Sequence, residues 1–107
     1  MTMCGTMWYI APESLEGHVQ KESDVWSLGM TVHEMCSGCR PWDHLSGQGL
    51  ADVGILFRVS QGLEHPIPNE FPRNLHHFLG QALQFDPNMR ASCHDLLNHP
   101  FILSDEV

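Results

Sequence analysis

The stretch Ser23-Asp24-Val25-Trp26-Ser27-Leu28-Gly29-Met30-Thr31-Val32-His33-Glu34-Met35-Cys36 constrains the rest of the chain. Its apolar residues Val25, Trp26, Leu28, Met30, Val32, Met35 and Cys36 do not keep to one helical face. A surface helix keeps a polar side, so a helix apolar nearly all round is one that other elements surround. Its ends are marked. Ser23 is placed to cap the first turn, and Asp24 adds a carboxylate at the positive end of the helix dipole. Ser37-Gly38 supplies a left-handed stop, with Pro41 soon after. Burying the larger apolar side chains at about 1.5–3 kcal/mol each gives on the order of 10 kcal/mol, enough to make this helix the hub of a domain.

The remaining segments read as shorter helices and long loops. Ala11 to Glu16 forms a short helix with Pro12 tolerated in its first turn. Gly38 to Gly49 is rich in Gly, Pro, Asp and Ser and reads as loop. Leu50 to Gly62 carries Val53, Leu56, Phe57 and Val59 as a helix closed by Gly62. His65-Pro66-Ile67-Pro68 excludes helix, and Pro72 opens an amphipathic helix with Leu75, Phe78, Leu79, Ala82 and Leu83 at spacings of three and four. After the turn Asp86-Pro87-Asn88, Ser92-Cys93-His94-Asp95 follows capping-box logic ahead of the short helix Leu96-Leu97-Asn98-His99. No segment alternates as a strand. The expected fold class is all-α.

With 107 residues, 42% of them hydrophobic, the chain reads as one soluble globular unit with no membrane segment. A formal charge of −8, from 13 acidic and 5 basic residues, argues against nucleic acid, which needs a basic patch. Cys4, Cys36, Cys39 and Cys93 lack a framework spacing and read as reduced thiols of an intracellular protein, cytoplasmic or nuclear. His33, Cys36, Cys39 and His44 make an H-x-x-C-x-x-C-x4-H pattern with zinc-type ligands. A single C-x-x-C with no second pair is weak, and Cys39 falls beyond the Gly38 stop, so no metal site is assigned.

Four motifs then resemble the protein kinase family, in that family's order. Gly5-Thr6-Met7-Trp8-Tyr9-Ile10-Ala11-Pro12-Glu13 is similar to the end of an activation segment, and the hub to the D-V-W-S-L-G helix running on to Arg40-Pro41-Trp42. Asp86-Pro87-Asn88-Met89-Arg90-Ala91-Ser92 resembles the D-P-x-x-R-x-S/T turn, and Leu97-Asn98-His99-Pro100-Phe101 the closing L-x-H-P-F. The opening Gly-Thr, with Tyr9 before Ala-Pro-Glu, is similar to the Ser/Thr type. The resemblance covers residues 1–107 as a partial kinase domain, the helical C-terminal lobe without the N-terminal β-sheet lobe.

What the resemblance implies is an enzyme that moves the ATP γ-phosphate to protein Ser/Thr with Mg²⁺. The Gly-rich loop, the strand lysine, H-R-D and D-F-G do not occur in these residues, so the chain by itself is expected to be inactive, to bind neither ATP nor Mg²⁺, and to be a fragment. No catalytic residue is assigned. The resemblance implies that Glu13 pairs with Arg90, that Asp24 anchors the catalytic loop, and that Thr6 contacts that loop. It implies that Met7 and Trp8 line a substrate pocket, where many relatives have proline at the Met7 position. Glu34 corresponds to a position that meets a substrate arginine in basophilic relatives, or is a polar helix-end residue. Thr2 is the candidate activating phosphosite. The alternative is a pseudokinase-like binding module, docking partners through the Leu50–Gly62 helix. With the catalytic loop absent, Trp26, Leu28 or Met30 is expected to leave apolar surface uncovered, and the chain to be molten or oligomeric.

Overall fold

The computed structural model describes residues 8–18, 20–46 and 52–103. Every regular element among them is a helix: α1 (Pro12–Leu15), α2 (Lys21–Ser37), α3 (Asp43–Ser46), α4 (Asp52–Ser60), α5 (Arg73–Ala82), α6 (Cys93–Leu97) and α7 (Pro100–Leu103). The all-α class read from the sequence is the class observed.

α2 is the hub, and it works by splitting the core in two. On one side Val25 packs with Leu75, Phe78, Leu79, Ala82, Ala91 and Leu96. On the other, Trp26 and Met30 pack with Ala11, Trp42, Ile55 and Val59. Adjacent residues of a helix point about 100° apart, which is how Val25 and Trp26 serve different clusters. Leu83 packs against both.

The expectation of uncovered apolar surface at Trp26 or Met30 is corrected: they are 1% and 0% exposed. Among the exposed residues of α2, Asp24, Leu28, Thr31 and Met35 form one stripe. These residues recur at spacings of four, three and four and so share a face. Leu28 is 44% and Met35 75% exposed.

Local rules were otherwise redirected by neighbours. Ser23 does not cap α2. Gln20 does, and its N–H donates to Ser23 Oγ at 3.3 Å. The Ser23 hydroxyl meanwhile donates to Glu13 Oε2 at 2.7 Å, a buried contact that fixes the serine one turn inside the helix. Gly38 closes the helix in the left-handed region, at φ 78°. The loop expected from Gly38 to Gly49 contains the single turn α3, entered through Trp42 at φ 62°. Leu50 lies outside the described residues; α4 begins at Asp52, and Gly62, at φ 108°, turns the chain away. The Leu96–His99 helix begins earlier, at Cys93. Ser92 Oγ accepts from the Asp95 N–H at 3.0 Å and Asp95 Oδ2 from the Ser92 N–H at 3.2 Å, which fixes that start. Pro100 then opens α7, a proline at a first helical position.

At Gly29, α2 passes tightly over the end of α5. A Cβ there would lie 2.8 Å from Ala82 Cβ and 2.9 Å from Leu83 Cδ2. Gly29→Ala gains about 1 kcal/mol of helix propensity but overpacks a helix–helix contact, which costs about 1–3 kcal/mol. The variant is expected to melt at lower urea than the parent. A midpoint at or above the parental value would show that α5 can shift freely.

Candidate functional site

Two constellations tie α1 and the segment before it to the hub. The first is built on Glu13. Its carboxylate is 9% exposed and receives Arg90 two-point, Nη1 to Oε2 at 2.8 Å and Nη2 to Oε1 at 3.0 Å. A planar guanidinium matches a carboxylate in this way, and lysine does not. The remaining Arg90 donors reach backbone carbonyls: Glu22 at 2.8 Å, Phe85 at 3.1 Å and Gln84 at 2.9 Å. One side chain thus joins α1, the start of α2 and the turn after α5. Burial pushes the Glu13 carboxyl up, but the hydrogen bonds from Arg90 and Ser23 outweigh it and hold it below the usual carboxylate range.

The second lies toward the C-terminal half of α2. Ser27 Oγ donates to the Tyr9 carbonyl at 2.7 Å, and the Tyr9 hydroxyl donates to Glu34 Oε1. That bond raises the Tyr9 pKa, with burial and the Glu34 charge acting the same way and the Arg40 charge opposing them. Trp8 and Tyr9, both half-buried, pack on the Trp26–Met30 side of the core. Glu34, read as a substrate-arginine position or a polar helix end, is engaged by Tyr9 from the same chain.

The other candidate residues are dispersed. Asp24 is exposed on the bare stripe of α2. Thr2, Thr6 and Met7 lie outside the described residues. Of the zinc pattern, Cys36 and Cys39 are exposed, and His33 donates through Nε2 to the Pro66 carbonyl at 2.9 Å. Among the described residues no group of three His, Cys, Asp or Glu is placed to hold a metal ion. Sequence reading missed Ser23 and Ser27 as partners of the preceding segment, and Tyr9 as the partner of Glu34. A serine inside a helix carries no outward sign of which backbone it will meet.

Comparison with known proteins bears on this arrangement directly. A family model described as "Protein kinase domain" matches residues 1–102. The chain belongs to the protein kinase family. Its helical array is therefore that of a kinase C-terminal lobe. Among similar kinases, "Mitogen-activated protein kinase kinase kinase 18" of Arabidopsis thaliana is 39% identical over 105 residues, covering 95% of this chain and 30% of that protein. "Mitogen-activated protein kinase kinase kinase 4" of Homo sapiens is 37% identical over 103 residues, 92% of this chain and 6% of that protein. "Cytokinesis protein sepH" of Aspergillus niger is 36% identical over 104 residues, 96% and 7% respectively. The kinase chain described here thus spans a minor part of the length of each.

Proposed function

We propose that this chain is the C-terminal-lobe part of a Ser/Thr protein kinase, inactive by itself and serving phosphoryl transfer when joined to a catalytic loop and nucleotide-binding lobe. The observation that carries the reading is the bare stripe Asp24, Leu28, Thr31 and Met35 along a hub whose Val25, Trp26, Gly29 and Met30 are buried. A helix in the middle of a domain that keeps Leu28 and Met35 bare beside a carboxylate is shaped for another element. The resemblance seats the catalytic loop there, with Asp24 accepting its backbone N–H groups. The residues present do not fit ATP·Mg²⁺. The single lysine, Lys21, starts the hub helix, and H-R-D and D-F-G are absent from the sequence. No step of the transfer is therefore assigned to this chain. Its own contribution is to hold the end of the activation segment through Glu13 and Arg90, and to present Trp8, Tyr9 and Glu34 toward a protein substrate. Thr6 and Met7 complete that surface in this reading, and Thr2 is the position where an activating phosphate would order it. The kinase kinase kinase names among the relatives suggest a substrate that is itself a protein kinase.

A second reading, a binding module without catalysis, is favoured by one surface. Val53 and Phe57 of α4 are 78% and 64% exposed and flank a groove of about 270 Å³ shared with Leu15. For compartment, Cys36, Cys39 and Cys93 are free and exposed, which suits a reducing, intracellular setting. No helix among the described residues is long and apolar enough to cross a membrane.

Calorimetry of the chain is expected to show no saturable micromolar ATP·Mg²⁺ binding. Grafted in place of the matching segment of an active relative, residues 8–103 are expected to sustain phosphorylation of that relative's substrate. They should lose it on Asp24→Ala. A folded chimera that binds ATP but transfers no phosphate would overturn the kinase reading in favour of the binding module.

A further inference from the structure

The geometry points to an acid-sensitive latch built on His65, which holds the Trp42 turn against the hub through a neutral imidazole. Trp42 N–H donates to His65 Nε2 at 3.1 Å. A backbone N–H can only donate, so Nε2 must be bare and the ring proton sits on Nδ1. From there it donates to the Pro66 carbonyl at 3.1 Å. The same carbonyl takes the His33 Nε2–H at 2.9 Å, so His33 is also fixed as a donor at Nε2. Every tautomer in the chain Trp42–His65–Pro66–His33 follows from which atoms cannot exchange roles.

The latch restrains a backbone that otherwise resists its conformation. Trp42 sits at φ 62°, the left-handed region that a large L-residue seldom adopts, with its indole 1% exposed. Protonating His65 would set a second N–H against the Trp42 N–H and leave both without an acceptor. The surroundings offer an imidazolium little. His33 of α2 faces it edge-on with ring centroids 4.4 Å apart, and His44 of α3 at 5.5 Å. Cys39, Arg40 and Asp43 line the same cavity of about 360 Å³. Asp43, the one carboxylate among the described residues that line it, already faces Arg40 at 3.7 Å. Burial first, then the charges of His33 and His44, hold His65 down at about 4, against an opposing contribution from Pro66.

The sign follows from that depression. Unfolded or released, His65 titrates near 6.5; held, near 4, so the closed state binds fewer protons. The stabilisation of the closed state by His65 is fully present above pH 6.5 and is lost as pH falls toward 4. One proton difference means that opening rises about tenfold per pH unit within that window. The opening segment carries Arg40, whose charge reaches Tyr9. Its release therefore changes the surface beside Glu34, a consequence that rests on the substrate-face reading above. The latch itself does not.

Nitrogen-15 spectra of the imidazoles in the full chain test it without reference to kinase activity. At pH 7.5 His65 should show a protonated Nδ1 and a bare Nε2. The Trp42 amide should be protected, with opening, corrected for intrinsic exchange, rising about tenfold per pH unit from 6 to 4.5. In His65→Gln the side-chain oxygen replaces Nε2 as acceptor and cannot titrate, so Trp42 opening should be flat over that range. An Nε2–H tautomer, averaged imidazole signals, an ordinary His65 titration near 6.5, or the same acid slope in the Gln variant would each overturn the latch. If the Gln variant does not fold, the tautomer and titration of the parent decide alone.

Discussion

Arg90→Ala is expected to destabilise the fold by about 3–5 kcal/mol, the range for breaking a buried ion pair from one side. Natural domains of this size carry about 5–15 kcal/mol in total, so the variant should sit close to unfolding. The magnitude comes less from attraction lost than from what is left behind. Glu13 would keep a buried charge with only the Ser23 hydroxyl on it, and the carbonyls of Glu22, Gln84 and Phe85 would each lose a donor. Arg90→Lys should recover little, because an ammonium cannot span both carboxylate oxygens and those carbonyls together. Glu13→Gln should cost less than Arg90→Ala, since its amide oxygen still accepts. The pair changed together, Glu13→Gln with Arg90→Met, should cost less than the two singles added.

Acid gives the same prediction a second readout. In the parent, the Glu13 pKa is depressed, so its contribution is present above the unfolded value of 4.5 and lost as pH falls through the folded value. Without Arg90, burial is opposed only by the Ser23 hydroxyl and the Glu13 backbone N–H, so the carboxyl pKa rises relative to the parent. At pH 7 the ionised carboxylate is then held less favourably than in the parent, and this difference shrinks as Glu13 is protonated. Denaturation of both proteins at pH 7 and pH 4.5 should therefore show the gap between them narrowing in acid. A gap that is constant with pH would mean that Arg90 acts through its carbonyl contacts and not through Glu13.

How far the sequence alone could reach is clearest at α2. Its end was legible because Gly38 is needed where the chain turns left-handed. Its start was misassigned because Ser23 is an acceptable cap by local rules, and nothing local says that Glu13 will claim its hydroxyl. Periodicity found the buried face of α5, where Leu75, Phe78, Leu79 and Ala82 face the hub. Periodicity could not say which side of α2 would stay bare. Leu28 and Met30 are equally apolar on paper, yet one is half exposed and the other sealed, a difference set by where α1, α4 and α5 lie. The His65 latch had no sequence signal, since a histidine before a proline looks like any loop residue. Motif order suggested Glu13 with Arg90 across 77 positions, where no local rule operates.

The second large effect is expected at Trp26, and two substitutions separate its causes. Trp26 is 1% exposed, packs with Ala11, Met30, Trp42, Ile55 and Val59, and lies under the Arg90 guanidinium, 5.3 Å from the ring centroid. Trp26→Ala should cost about 3–5 kcal/mol, from lost burial and the cavity left between α1, α2 and α4. Trp26→Phe keeps an apolar ring in place and removes the indole N–H, which is buried without a hydrogen-bond partner among the described residues. Removing an orphaned donor recovers about 1–3 kcal/mol of desolvation, against the smaller ring and a cation–π contact of about 0.5–2 kcal/mol. The phenylalanine variant should therefore land well above the alanine variant in urea midpoint and near the parent. Because the ring sits between Ala11 and Arg90, Trp26→Ala and Arg90→Ala should also be non-additive, each having already loosened the segment that the other holds. If Phe and Ala cost the same, the ring volume is not what matters and the indole nitrogen has a partner outside the described residues. If the two alanine variants add, the Glu13 clamp and the Trp26 core hold that segment independently.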